Sequence, residues 1–260
     1  VADCPSRIIE QNGEKFPFVL AENEANCMEC QHCLAVCPTA AISVFGLKPE
    51  NSLPVSADVW PRLEQMTSLV RGRRSIRHYH DRNVEPELID RLLHTVANAP
   101  TGVNNRSLTF TVIDDKDVLH SLRTKVLQKL VALHQVGHIP ERFAYIENAI
   151  TAFIDHQADV IFRGAPHVLI VSAPPQTPCG TEDVPIALAY FELLAQSAGL
   201  GTVWCGLLKL AFESAPELKG LVGLPVGHHY YAMLFGYPSI HFARTVQRDQ
   251  AATIRRVKLD

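Results

Sequence analysis

Four cysteines, Cys27, Cys30, Cys33 and Cys37, are spaced C-x2-C-x2-C-x3-C and followed directly by Pro38. Thiolates are soft ligands that suit iron–sulfur chemistry, and this short spacing lets one loop wrap several corners of a [4Fe–4S] cluster. Pro38, with its fixed φ and missing N–H, turns the chain away after the last cysteine. Zinc loops more often offer two cysteines per knuckle, so the spacing favours the cluster over a zinc ion. Five of the seven cysteines lie within the first 37 residues. A disulfide scaffold would spread them through a short chain instead.

Further along, the signals are softer. Arg71, Arg73, Arg74 and Arg77 surround Ser75, a set of guanidinium forks and a hydroxyl suited to a phosphate or an electron-rich ring edge. A solvated basic face is the plain alternative. Thr101-Gly102-Val103-Asn104-Asn105-Arg106 offers amides and a flexible glycine after a helical stretch. Gly199 to Gly206 is glycine-rich but misses G-x-G-x-x-G, so a separate Rossmann domain is unsupported. No H-E-x-x-H occurs among twelve histidines, and Gly137 interrupts the i, i+4 pair His134 and His138. Cys205 is a candidate thiol, although a small apolar residue is the simpler reading.

These residues need elements to hold them. The chain has 260 residues, 47% hydrophobic and 20% charged, with a net charge of −3. That balance excludes a strongly basic nucleic-acid binder and a highly charged disordered protein. No apolar run approaches the roughly 18 residues of a membrane span, and no signal-peptide pattern opens the chain. Asn12-Gly13 marks a hairpin turn between short extended pieces. Residues 1–45 read as a small iron–sulfur module, 46–58 as a linker and 59–260 as an α/β or α+β domain. In that domain Glu87–Asn98, residues 116–134, residues 141–160 and Ile186–Gly199 read as helices. Phe110–Ile113, Val168–Val171 and Tyr230–Phe235 read as strands.

The cysteine run resembles that of bacterial ferredoxins, where in two-cluster members the fourth cysteine ligates the other cluster. Cys4-Pro5 is a second C-P pair, with Val1, Ala2 and Asp3 in place of the x3 of an earlier run. The expectation is one or two clusters, with numbering that begins inside a two-cluster module. Cys4 then joins Cys27, Cys30 and Cys33, in preference to the rival set completed by Cys37.

The later segments together resemble the nitroreductase family of flavin enzymes. Arg73-Arg74-Ser75-Ile76-Arg77 is similar to its R-x-S-x-R/K opening, and Ala99-Pro100-Thr101-Gly102-Val103-Asn104 to its A-P-S-x-x-N loop. Phe162 to Ser172, Gly199 to Gly206 and Gly236-Tyr237-Pro238 also look like family segments. The branch with an N-terminal ferredoxin-like module is the best match. The resemblance implies FMN at a homodimer interface, in a mixed, mainly antiparallel sheet flanked by helices. It places Arg73, Arg74, Ser75 and Arg77 on the phosphate, ribityl chain and pyrimidine edge. Pro100, Thr101 and Asn104 lie near the ring, while Trp204, Cys205 and Gly206 approach the N5 side. Arg244 and Arg248 reach the phosphate. Arg106, Ser107 and Leu108 depart from the family's usual glutamine, proline and aromatic, which leaves the acceptor pocket open.

The implied function is an FMN-dependent oxidoreductase that receives electrons through the cluster and reduces a small organic acceptor. Nitroaromatics, quinones and enone-like compounds all fit, and no side chain is required as a nucleophile. The donor is a reduced ferredoxin-like protein or NAD(P)H, in an anaerobic cytoplasm. A non-enzymatic electron carrier or redox sensor with the same cofactors is the alternative.

Overall fold

In the computed structural model, residues 1–139, 143–248 and 251–259 are described. Two strands, β1 (Ile9–Gln11) and β2 (Pro17–Val19), pair antiparallel near the N-terminus. Their connection is a five-residue loop rather than a two-residue turn at Asn12-Gly13. The Asn12 side chain accepts from the amides of Glu14 at 3.1 Å and Phe16 at 2.9 Å, and Lys15 takes the left-handed φ of +65°. The short helix α1 (His32–Val36) buries Leu34 and lies between Cys30 and Cys37.

The larger part is built on a four-stranded antiparallel sheet. Its strands are β3 (Thr109–Ile113), β4 (His167–Ala173), β5 (Gly201–Trp204) and β6 (His229–Gly236), in the order β3-β4-β6-β5. The helices are α2 (Leu63–Gly72), α3 (Pro86–Val96), α4 (Lys116–Gln135), α5 (Ala144–His156), α6 (Gly180–Ser197) and α7 (Gly206–Ser214). Because side chains alternate along a strand, β4 and β6 feed two cores. Val168, Ile170, Ala232 and Leu234 face α4, α5 and α7. Leu169, Val171, Met233 and Phe235 face α3 and α6. Helices on both faces explain why β4 reads as an unbroken apolar run although its neighbours are antiparallel.

Local chemistry fixes most helix ends. Pro86 occupies the first turn of α3 with Glu87, and Ile89, Leu92 and Val96 form its buried stripe. Asp115 caps α4 by accepting from the amides of Asp117 at 2.8 Å and Val118 at 3.0 Å. The helix expected at 186–199 starts earlier, at Gly180, and runs through Pro185. Proline in its second turn is tolerated because Asp183, Val184 and Ala187 are all buried there. The expected helix over 141–160 is α5, which begins at Ala144; Pro140 and residues 141–142 lie outside the described residues. Among the described residues, no helix is long and apolar enough to cross a membrane.

One close contact extends the sheet. Beyond β5, Ser75 bridges Thr202 in parallel, and the Ile76 amide donates to the Thr202 carbonyl at 2.8 Å. A Cβ on Gly201 would stand 2.4 Å from Ile76 Cγ1, so only glycine allows this approach. Replacing Gly201 with Ala is expected to cost about 1–3 kcal/mol of stability by overpacking. Urea denaturation checks this, and an unchanged midpoint would show that the segment is free to move away.

Candidate functional site

The contact at Ile76 sets the arginine run along the outer edge of β5. Arg73 Nη1 pairs with Glu192 Oε1 at 3.1 Å, and Thr202 Oγ1 donates to the same oxygen at 3.3 Å. The buried Glu192 of α6 therefore has two donors, and Arg73 is largely committed to it. Arg74 donates through Nη2 to the Arg71 carbonyl, while its buried Nε has no partner among the described residues. Desolvation, then the like charges of Arg248 and Arg73, push its pKa down. Arg248 and Arg244 are both exposed. Arg74, Arg73 and Arg248 thus concentrate positive charge around an unpaired donor, a setting that an anion would relieve.

Past Ser75, Arg77 lines a cavity of 540 Å³ at the turn from β5 into α7. Trp204, Cys205 and Gly206 line it too, with Arg163 and Lys209. Four residues named from the sequence therefore share one cavity. Gly206 lets Tyr231 approach, since a Cβ there would stand 2.8 Å from Tyr231 Oη and the ring would have to shift. The Tyr231 ring meets Trp204 edge-on at 5.5 Å. Cys205 is 4% exposed; its amide donates to the Ala232 carbonyl at 2.8 Å and its thiol to the Ile161 carbonyl at 3.3 Å. Burial pushes this thiol up to about 12, so at neutral pH it is an un-ionised packing group rather than a nucleophile.

Pro100, Thr101 and Asn104 do not line this cavity. They belong to a separate loop packed against α6. The Gly102 amide donates to Asp183 Oδ1 at 2.9 Å, and a Cβ on Gly102 would clash with Cys179 Sγ. Val103, Asn104 and Arg106 all have positive φ, and the Arg106 amide donates to Thr101 Oγ1 at 3.1 Å. Asn104 in this loop is half-buried, and its Nδ2 donates to the Met28 carbonyl at 2.7 Å. Met28 lies between Cys27 and Cys30, so the loop touches the cysteine run directly.

The cysteines themselves surround a second cavity, of 370 Å³. Cys4, Cys27, Cys30 and Cys33 line it, together with Ile8 and Val44, and Cys37 does not. Burial raises the Cys33 pKa, and the neighbouring Cys30 and Cys27 add to the rise. Cys37 instead faces Thr39 Oγ1 at 3.6 Å and accepts from the Ala41 amide at 3.3 Å. The Thr39 contact is the largest cause of its lowered pKa, followed by the Ala41 amide. Among the described residues, no group of three or more His, Cys, Asp or Glu is placed to hold a metal ion. His134 sits 3.5 Å from Glu147, and α4 ends before His138, so that pair shares no helix face.

A nitroreductase family model matches residues 70–237. The chain belongs to the nitroreductase family. Human iodotyrosine deiodinase 1 is 29% identical over 189 residues, 68% of this chain and 63% of that protein. This chain therefore spans less than two thirds of that relative's length. A nitroreductase with bound FMN from Bacteroides fragilis superposes with a TM-score of 0.60 at 19% identity, covering 74% of this chain and 99% of that one. Another FMN-bound nitroreductase, from Desulfitobacterium hafniense, gives 0.56 at 20% identity over 73% and 97%. These likenesses show the fold, with its antiparallel sheet and flanking helices.

Several site residues were not singled out from sequence. Glu192 is a carboxylate within the apolar stretch from Ile186 to Ala195, a signal that a buried partner is near. Arg163 and Lys209 carry no comparable local signal. Stability offers a check on Cys205. Its folded pKa is raised, so the stability from keeping the thiol neutral is complete below the unfolded value of about 8.5 and is lost as pH rises toward about 12. Wild type should therefore lose stability relative to Cys205→Ser only above about pH 9, by at most about 1.4 kcal/mol per pH unit. Urea titrations across that range read the difference, and a constant gap would mean that the thiol is not insulated.

Proposed function

We propose that this protein is an FMN-dependent oxidoreductase of the nitroreductase type that receives electrons through a [4Fe–4S] cluster in its N-terminal module. The observation that carries the flavin is the Arg74 guanidinium, whose buried Nε has no partner among the described residues and which feels the like charge of Arg248. An anionic cofactor phosphate fits that donor set, with Arg73, Arg244 and Arg248 alongside. When bound, FMN supplies hydride or single-electron transfer, and the cluster supplies single electrons.

The chain's own residues then have distinct tasks. Arg77 holds the pyrimidine edge, and Trp204 and Gly206 shape the cavity beside the ring. The buried, protonated Cys205 excludes water without taking part in bond making. Cys4, Cys27, Cys30 and Cys33 hold the cluster, a choice supported by the cavity they line and by the position of Cys37 outside it. The contact from Asn104 to Met28 supports electron entry from this side. A reduced ferredoxin-like protein is the proposed donor, in preference to NAD(P)H. The proposed assembly is a homodimer, in which a second copy completes the flavin site near Pro100 and Thr101. The acceptor is a small organic molecule of the nitroaromatic, quinone or enone-like kind. The cavity at Gly206 favours such turnover over a pure electron carrier.

Cys30→Ala and Cys4→Ala should both lose the cluster's visible absorption and paramagnetic resonance signal while retaining FMN, and Cys37→Ala should keep the signal. Reduction by a one-electron protein donor should fail in the first two variants. Unchanged reduction in Cys30→Ala would sink the relay. Arg74→Ala should weaken FMN binding about tenfold or more, as expected for a lost charge-assisted hydrogen bond. Unchanged FMN affinity would remove the cofactor assignment of this cradle.

A further inference from the structure

The cavity at Gly206 holds a guanidinium that neither the fold nor the cofactor reading uses. Arg163 lines the cavity together with Arg77 and has no hydrogen-bond or ion-pair acceptor among the described residues. Its backbone has a φ of +54°, followed by Gly164 at +66°. For a residue with a Cβ this conformation is unfavourable and persists only where surrounding contacts impose it.

Those contacts are specific. Asp159, with its side chain only 4% exposed, accepts from the amides of Ile161 at 3.2 Å, Phe162 at 2.8 Å and Gly164 at 3.4 Å. Arg123 Nε closes on the same carboxylate at 3.0 Å. The nearby buried carboxylate is thus fully occupied, and the turn it builds carries Arg163 to the cavity wall without a counter-ion. Arg163 is close enough to favour ionisation of both Cys205 and Tyr79, and Arg77 acts on Tyr79 as well. Lys209 and Glu213, the other charged pair in the wall, stand 3.9 Å apart and offset each other. Two guanidiniums remain, beside the first amides of α7 at Gly206 and Leu207. Trp204 and Tyr231 add aromatic surface.

We propose that this cavity selects aromatic acceptors bearing a carboxylate, and that Arg163 is the residue that binds the carboxylate. The inference rests on the oxidoreductase reading, in which Arg77 serves the flavin and the acceptor lies beside it. A guanidinium fork matches a carboxylate in two parallel hydrogen bonds, which gives orientation as well as affinity. A neutral acceptor of the same size would leave Arg163 without a partner.

The test is calorimetric titration of the FMN-loaded protein with 4-nitrobenzoate and its neutral counterpart 4-nitrobenzamide. Wild type should bind the carboxylate about tenfold more tightly, the scale of one charge-assisted pair. Arg163→Gln should abolish that preference and leave FMN affinity unchanged. Arg163→Gly, which suits the positive φ, should do the same and guards against a misfolded glutamine variant. Equal binding of the two probes by wild type overturns the proposal, as does a preference that survives both substitutions. Release of FMN by the variants also overturns it, because Arg163 would then belong to the cofactor. If wild type takes up no FMN, the oxidoreductase reading fails, and the same titration on the protein as isolated still reads the cavity's choice between the probes.

Discussion

The approach of Ile76 to Gly201 determines where the charged groups of this molecule can stand. Because no Cβ intervenes, the segment after α2 lies against β5 closely enough for its amide to bond Thr202. Arg73 then meets Glu192 from α6, and Arg77 reaches the β5–α7 turn. The same strand delivers Trp204 and Cys205 to that turn, so one backbone contact fixes both sides of the cavity. Pushed outward by even a methyl group, the run would lose its buried ion pair, which is more costly than losing a surface one.

Three buried carboxylates do the remaining positioning, each by accepting from backbone or from arginine. Glu192 holds the start of the arginine run, Asp183 holds the Gly102 amide, and Asp159 organises the turn before β4. Buried carboxylates need donors, and here the donors are the loops that carry functional side chains. The Asp183 loop also presents Asn104 to Met28, which links the cysteine module to the larger domain through a polar contact. Loops would otherwise be the least ordered part of such a fold.

How much of this was legible in the sequence varies with the range of the interaction that decides it. The α3 helix, with Pro86 and an apolar stripe, and the unbroken run of β4 follow from local pattern, and both stand where expected. The α2 helix was not read, because it buries no residue and so shows no demand for a core face. The start of α6 was misplaced because Pro185 looks like a boundary, whereas tertiary burial of Asp183 and Val184 carries the helix through it. In the site, Arg77, Trp204, Cys205 and Gly206 were named and share one cavity, whereas Pro100, Thr101 and Asn104 stand on another surface. Motif order along the chain cannot reveal that separation. The significance of Arg163 depends on Asp159 being occupied by Arg123, a fact of three dimensions that no local pattern carries.

Sulfur is divided in this protein by the company each thiol keeps. Cys205 is alone in an apolar setting, its proton directed at a carbonyl, and ionising it would place an unpaired charge in the core. Cys33 has a raised pKa for a second reason, since Cys30 and Cys27 stand near enough to oppose its charge. Bare thiolates so placed repel one another, and a cationic centre shared among them would turn that repulsion into attraction. Cys37 lies outside that circle, stabilised by Thr39 and the Ala41 amide without help from another thiol. The cavity wall sets Cys37 apart as well, and it adds Cys4 to Cys27, Cys30 and Cys33.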